Sequence, residues 1–334
     1  MYLSICIPSY NRLNHLKEMV TSVLMASSLD FELVIVDNGS AFNVLEEFQD
    51  CRDKRLRIIK RSQLISGPTN ARLVLDEAQG EYAMLCLDKD FIIGAALDTF
   101  IEKLKKTNNV ACGYCLLNSN DKNAEFVYSE DLINNIYRCG HPSGTFFKTE
   151  LIREDSKELE LASETSIYYN NPFLIDLTFA KTLCSGNQAV YTGELIKTET
   201  LEEAANKVSN SYSSNRDNIY FRPNNKIKQF WIFVTHMDKL PISERDKKKI
   251  LKRIIRNTLY DVSIGYKRIM SNDLLCKHHG LNTEVITKKD MLQNITRFFK
   301  NFDLDNLSPA IRDNLGYILL TEKARIITRI LIGG

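Results

Sequence analysis

Two aspartates stand one residue apart at the end of an apolar run, Tyr82-Ala83-Met84-Leu85-Cys86-Leu87-Asp88-Lys89-Asp90. Side chains alternate along extended chain, so a strand ending here points both carboxylates to one side. Mg²⁺ and Mn²⁺ take oxygen ligands and keep substrate phosphates as partners, so one or two carboxylates suffice to hold them. The cation then offsets charge building on a nucleotide diphosphate leaving group. A solvated strand end is the plainer use of such a pair. A second apolar run also ends on acid, Leu33-Val34-Ile35-Val36-Asp37-Asn38-Gly39-Ser40. Asp37 can accept from a base N–H or a ribose hydroxyl there, or simply close an Asx-type turn. The first run, Ser4-Ile5-Cys6-Ile7, passes into Pro8-Ser9-Tyr10-Asn11-Arg12. That is a rigid turn, an aromatic face and a cation, or an ordinary helix entry. Arg72 closes Ser66-Gly67-Pro68-Thr69-Asn70-Ala71-Arg72 near a helix start, where a cation gains nothing from the macrodipole. Phosphate or a strand-end acid would pair it; a surface position is the alternative.

These residues need a scaffold that brings strand ends together. Residues 2–8 read as a strand, Arg12 to about Ser27 as a helix, Phe31–Val36 as a strand, Val44–Phe48 as a short helix and Leu56–Lys60 as a third strand. Asn70–Ala78 fits a helix stopped by Gly80, and Tyr82–Leu87 is the strand that delivers the acid pair. A helix from Ala95 to about Thr107, a strand Val110–Asn118, the turn Gly140-His141-Pro142-Ser143-Gly144 before a short strand, a helix Asn171–Cys184 and a strand Ala189–Thr192 follow. Strands alternating with helices predict an α/β fold with a mostly parallel central sheet, whose ligand crevice lies at the C-terminal strand ends.

The whole chain narrows the function classes. It has 334 residues, 44% of them hydrophobic, enough for one large domain with an appendage. A net charge of +2 gives no electrostatic case for nucleic acid. The eight cysteines are scattered, and Cys112-Gly113-Tyr114-Cys115 has zinc-like spacing without a second pair, so buried reduced thiols are expected. The chain opens directly in a strand without a signal-peptide pattern, and no segment approaches the roughly 20 apolar residues that span a bilayer. A cytoplasmic protein is expected, with any membrane contact peripheral.

The order I-P-S-Y-N-R, V-D-N-G-S, G-P-T-N-A-R with A-x-G-E-Y, then L-D-K-D resembles the family 2 glycosyltransferases of the GT-A fold, over residues 2 to about 200. The resemblance implies an inverting, metal-dependent transfer from a nucleotide-diphospho sugar, UDP-linked, to a saccharide or lipid-linked saccharide in surface polysaccharide synthesis. It implies that Asp37 contacts the base, that Pro8, Tyr10, Arg12 and Arg72 line the nucleotide site, and that Asp88 and Asp90 hold ribose, diphosphate and Mn²⁺ or Mg²⁺. Members often carry a further acid after D-x-D; Phe91 stands there, which leaves Asp90 as sole protein ligand of the metal. The catalytic base by this resemblance is Asp176, in Phe173-Leu174-Ile175-Asp176-Leu177, with Glu164 the alternate and a helix-surface aspartate the plain reading. His141, Ser143 and Gly144 fall where the acceptor or donor sugar approaches, although a lone histidine in a turn is often structural.

The resemblance divides the chain into a nucleotide-sugar-binding domain, 1–205, and a lid loop with a mainly helical region, 206–334. Arg216 and Arg222, in a Ser/Asn-rich stretch, are positioned to close over the diphosphate as a lid, or are basic residues of an exposed loop. Residues 243–300 combine many cations with apolar residues at helical spacing, as does Ile318–Ile332. Such segments pack on neighbouring helices, attach to an anionic membrane or form a homodimer. Two other functional classes compete with transfer: a non-catalytic GT-A-like scaffold acting through its helical tail, and a nucleotidyltransferase. The latter normally needs a glycine-rich phosphate loop after the first strand, which Ser9-Tyr10-Asn11-Arg12 is not.

Overall fold

A computed structural model describes residues 1–129, 132–138, 141–153, 173–200, 202–203, 219–300 and 307–333. The chain forms two compact units, Met1–Glu199 and Thr200–Gly334.

The first unit is built on a nine-stranded sheet. β1 (Leu3–Ser9) and β2 (Phe31–Asp37) are buried along their whole length, as expected for central strands covered on both faces. β3 (Leu56–Lys60) pairs parallel to β2, and β4 (Tyr82–Leu85) parallel to β1. The register sets Ser9 beside Asp37 and Cys6 beside Leu85, so the polar ends of β1, β2 and β4 emerge along one edge. The helix α1 (Leu13–Leu24) between β1 and β2 buries Leu16, Met19, Val20 and Val23, one stripe at helical spacing. α2 (Val44–Glu47) is one short turn. α3 (Gly67–Leu73) starts three residues earlier than its apolar pattern suggests, because Ser66 accepts from the Thr69 N–H and Pro68 fits the first turn. The remainder of that expected helix, Val74–Glu77, tightens to 3₁₀.

Beyond β4 the sheet is mixed. β5 (Phe91–Ile92), β6 (Val110–Leu117), β7 (Phe126–Ser129), β8 (Thr145–Lys148) and β9 (Asn187–Lys197) give the order β3-β2-β1-β4-β8-β6-β9-β5, with β7 also on β9. β8 runs antiparallel to both β4 and β6, and β5 and β7 run antiparallel to β9. The half that carries Asp37 is therefore parallel, as expected, and the other half is not. A four-residue expectation for the last strand grows to eleven, since β9 finds partners in β5, β6 and β7. Phe100 of α4 (Gly94–Lys105), Phe126, Phe146 and Tyr191 form an edge-on aromatic cluster, with Phe100 and Tyr191 4.9 Å apart. Gly113 makes room for it: a Cβ there would lie 2.3 Å from the Phe146 ring. α5 (Leu132–Asn135) is a short turn, and α6 (Leu174–Leu183) packs on α3 and β6. Cys112 and Cys115 are buried free thiols, their pKa values pushed up by burial, which suits neither zinc nor redox work.

The second unit is helical: α7 (Pro223–Lys239), α8 (Glu244–Tyr260), α9 (Tyr266–Met270), α10 (Asp273–His278), α11 (Lys288–Lys300) and α12 (Pro309–Gly333). Ser243 caps α8 by accepting from the Asp246 N–H. The apolar stripe of that basic helix, Ile250, Leu251, Ile254, Ile255 and Leu259, is buried within the unit, while Lys248, Lys249 and Lys252 face solvent. Packing on neighbouring helices thus accounts for its amphipathic pattern. Arg256 grips the buried Glu322 of α12 through two hydrogen bonds of 3.0 and 2.8 Å. Among the described residues no helix is long and apolar enough to cross a membrane.

Candidate active site

The ends of β1 and β2 are tied together before any ligand enters. Asn11 takes a left-handed backbone conformation (φ 56°); its N–H donates to Ser40 Oγ, and its side-chain oxygen accepts from the Ala41 N–H. Gly39, also left-handed (φ 85°), lets the chain after β2 turn back so that the Ser40 N–H donates to Asp37 Oδ1 at 3.1 Å. That turn uses one oxygen of Asp37. The other, Oδ2, is buried and has no hydrogen-bond partner among the described residues. A buried carboxylate oxygen without a donor is costly, and such a group is a candidate for ligand contact.

Asp88 lies beside the end of β1. The Tyr10 N–H donates to its Oδ2 at 3.0 Å, and the Arg12 guanidinium stands 3.5 Å from its Oδ1. Burial nonetheless pushes its pKa up to about 6, with Arg12 and the Tyr10 N–H opposing the rise and Asp90 adding to it. Asp90 is more deeply placed, 3% exposed. A tight turn, with the Asp90 N–H donating to the Leu87 carbonyl, brings it back under the strand end. Ser143 Oγ accepts from the Leu87 N–H at 2.9 Å and donates to Asp90 Oδ2 in a very short contact. Asp90 Oδ1 is buried and unpartnered among the described residues.

His141 completes this corner. The Ser143 N–H donates to His141 Nδ1 at 3.2 Å, which leaves the ring proton on Nε2, 3.6 Å from Asp90 Oδ2. Burial lowers the His141 pKa and Asp90 opposes that, so the ring is neutral at neutral pH. Gly144 (φ 81°) bridges strands: its N–H donates to the Leu85 carbonyl, and its carbonyl accepts from the Cys115 N–H. A Cβ on it would sit 3.0 Å from the Ile196 side chain. The turn His141–Gly144 is thus the support that aims Asp90, a relation that linear spacing does not reveal.

The structure brings Pro8, Tyr10, Arg12, Asp37, Asp88, Asp90, His141, Ser143 and Gly144 to the ends of β1, β2, β4 and β8. Arg72 goes elsewhere. Its guanidinium is fully buried, with Nε donating to Thr178 of α6, Nη1 to Asp76 and Nη2 to the Ile152 carbonyl. This corrects the nucleotide contact expected for it: Arg72 is an internal strut that latches α6 onto α3. Asp176 is half-buried in the first turn of α6, on the helix that Arg72 fixes. Glu164 and Arg216 lie outside the described residues, and Arg222 belongs to the second unit, just before α7. One residue was missed. Arg61 follows β3, its N–H donating to the Asp37 carbonyl; Nε is held by Asn70 at 2.7 Å, and Nη2 is buried without a partner among the described residues. Its place at a strand end, equivalent to that of Asp37, was the available signal.

Can these groups hold a divalent cation? Among the described residues no three His, Cys, Asp or Glu side chains cluster as a metal site. At the acid pair one buried carboxylate oxygen, Asp90 Oδ1, has no partner among the described residues. That fits an ion taking most of its ligands from phosphate and water and does not fit an all-protein cage.

Residues 4–169 match the family model described as Glycosyl transferase family 2. Among curated relatives, an uncharacterised glycosyltransferase of Rickettsia felis is 29% identical over 139 residues, 40% of this chain and 23% of that protein. The GalNAc(5)-diNAcBac-PP-undecaprenol beta-1,3-glucosyltransferase of Campylobacter jejuni is 26% identical over 118 residues, 34% of this chain and 38% of that protein. The matched segment thus spans under a quarter of the Rickettsia relative's length. Among solved structures, S. aureus TarS 1-349 superposes with a TM-score of 0.62 at 15% identity, covering 99% of this chain and 90% of that one. Its complex with UDP-GlcNAc gives the same TM-score at 14% identity, with the same coverage. At that identity the likeness is one of fold, a GT-A sheet with a helical C-terminal region.

Proposed function

For a chain whose residues 4–169 belong to glycosyltransferase family 2, we propose an inverting, metal-dependent transfer of a hexosyl or N-acetylhexosaminyl group from a UDP-sugar. The observation that carries this reading is the pair of unsatisfied carboxylate oxygens at neighbouring strand ends, Asp37 Oδ2 and Asp90 Oδ1. Asp37 Oδ2 accepts the base N–H. Asp88, beside Tyr10 and Arg12, accepts from the ribose hydroxyls. Asp90 Oδ1 is the one protein ligand for Mn²⁺ or Mg²⁺, which when bound neutralises the diphosphate. Ser143 and neutral His141 keep Asp90 aimed, and Gly144 fixes their turn by bonding the backbones of Leu85 and Cys115. Asp176, with Glu164 the alternate, takes the proton of the acceptor hydroxyl as its oxygen bonds to the anomeric carbon and the bond to UDP breaks.

The acceptor in this reading is a saccharide or lipid-linked saccharide of a surface polysaccharide; support comes from the Campylobacter relative, whose described acceptor is carried on undecaprenol diphosphate. A lipid-linked acceptor would place the enzyme at the inner face of the cell membrane, held peripherally or as a homodimer, with residues 1–205 catalytic and the remainder serving as lid and helical region. The non-catalytic scaffold gains nothing from the two free carboxylate oxygens. Incubation with a panel of UDP-sugars and Mn²⁺ tests the proposal by UDP release. Wild type is expected to release UDP from at least one donor, and Asp176→Asn to bind that donor without transfer. No UDP release from any donor, together with no UDP binding, would overturn it. Full activity of Asp176→Asn would move the base to Glu164.

A further inference from the structure

The helical unit contains a cavity of about 510 Å³ whose chemistry the donor reading does not use. It is lined from three segments: the start of α7, the first residue of α9 and one face of α11. Arg222, Lys228 and Arg297 put three cations on its wall, and no carboxylate of the described residues lines it. Lys228 forms no ion pair among the described residues, and Arg297 donates only to an uncharged amide, Asn224 Oδ1, at 3.2 Å. Lys228 and Arg297 therefore bring positive charge to the wall without an acidic partner among the described residues.

Two further features point the same way. α7 has seventeen residues and begins at Pro223 with no side-chain cap, so the positive end of its dipole opens on the cavity. Asn294, one turn before Arg297 on α11, is 8% exposed and lines the same wall. Its side chain makes no hydrogen bond with any described residue. A buried amide without a partner, facing a cation-lined space, is a hydrogen-bonding group held ready for a ligand. A π-helical turn, Asp261–Gly265, immediately precedes Tyr266, another lining residue, and such turns are frequent at functional sites.

We infer that this cavity binds a phosphate-bearing anion, gripped by Arg222, Arg297 and Lys228 and oriented by Asn294 and the start of α7. Charge-assisted hydrogen bonds of this kind are the strong ones, and two arginines match the planar faces of a phosphate group. All the groups come from the second unit, so the inference stands apart from the donor reading. It gives Arg222 a ligand role without requiring it to move as a lid.

The chain supplies its own reporter, since its one tryptophan, Trp231, lies on α7. The full-length protein is titrated with pyrophosphate at constant ionic strength while Trp231 emission is followed. The expected result is a saturable change, with affinity reduced about tenfold in Arg297→Gln and in Lys228→Gln and unchanged in Lys248→Gln, an exposed cation outside the cavity. Arg297 and Lys228 are exposed, so both variants should fold, which circular dichroism checks. Asn294→Leu adds a test of orientation, again weakening binding. Asp37→Asn should leave the Trp231 response intact, which separates this site from the donor site. A second arm uses phosphatidylglycerol vesicles against phosphatidylcholine vesicles. Variant-sensitive binding to the former identifies a lipid headgroup as the source, and a response to pyrophosphate alone identifies a soluble phosphate ester. Absence of both responses, or responses equal in Arg297→Gln, Lys228→Gln and wild type, would overturn the inference.

Discussion

Asp37→Asn is the substitution that isolates the proposed base contact. The amide oxygen of asparagine can still accept from the Ser40 N–H, so the turn at Gly39 survives. What changes is the second atom: the buried, unpartnered Oδ2 becomes an NH₂. A hydrogen bond to a charged acceptor contributes about 1.5–3 kcal/mol, so its loss weakens UDP binding roughly 10- to 150-fold. Folding stability should move far less, because the wild-type carboxylate already carries an oxygen without a partner at this position. Calorimetric titration with UDP gives the affinity, and thermal unfolding without ligand gives the control. A variant that bound UDP with wild-type affinity would refute the assignment of Asp37 Oδ2 to the base.

Asp88 carries a pH signature. Its folded pKa of about 6 lies above its ordinary value of 3.8, so the folded state holds this proton more tightly than the unfolded chain. Ionising it subtracts stability progressively between about pH 4 and 6, and the loss is complete above that window. Asp88→Asn should therefore be more stable than wild type by on the order of 2–3 kcal/mol at neutral pH, with no gain near pH 4, as measured by urea unfolding at both values. Arg72→Lys should cost about 2–4 kcal/mol of stability, because a single ammonium cannot satisfy Asp76, Thr178 and the Ile152 carbonyl together, while UDP affinity of the folded protein stays unchanged. Gly144→Ala should lose about 1–3 kcal/mol from its left-handed φ and the contact with Ile196, and should weaken Mn²⁺-dependent UDP binding by shifting Ser143 away from Asp90.

The parallel half of the sheet was legible because its signals are local. β1, β2 and β4 are continuous apolar runs that stop on polar residues, and the parallel register merely sets those stops side by side. The mixed half was not, since it depends on pairings distant in sequence. β8 inserts between β4 and β6, and β9 gathers three partners, neither of which leaves a periodic trace. Arg72 shows the same limit. Its sequence neighbourhood suggests a phosphate ligand, yet its partners Thr178 and Ile152 lie 106 and 80 positions further along the chain. The role of Ser143 in aiming Asp90, 53 positions earlier, is visible only once the turn has folded over the strand end.

In the proposed function, one crevice at the ends of β1, β2 and β4 holds a nucleotide diphosphate through Asp37, Asp88 and Asp90. A crystal structure of the chain with UDP and Mn²⁺, with the metal located by anomalous scattering, tests it most directly. The expected result is a single manganese peak bonded to Asp90 Oδ1 and the diphosphate, with the base N–H on Asp37 Oδ2. UDP bound elsewhere, or manganese away from Asp90, would contradict it.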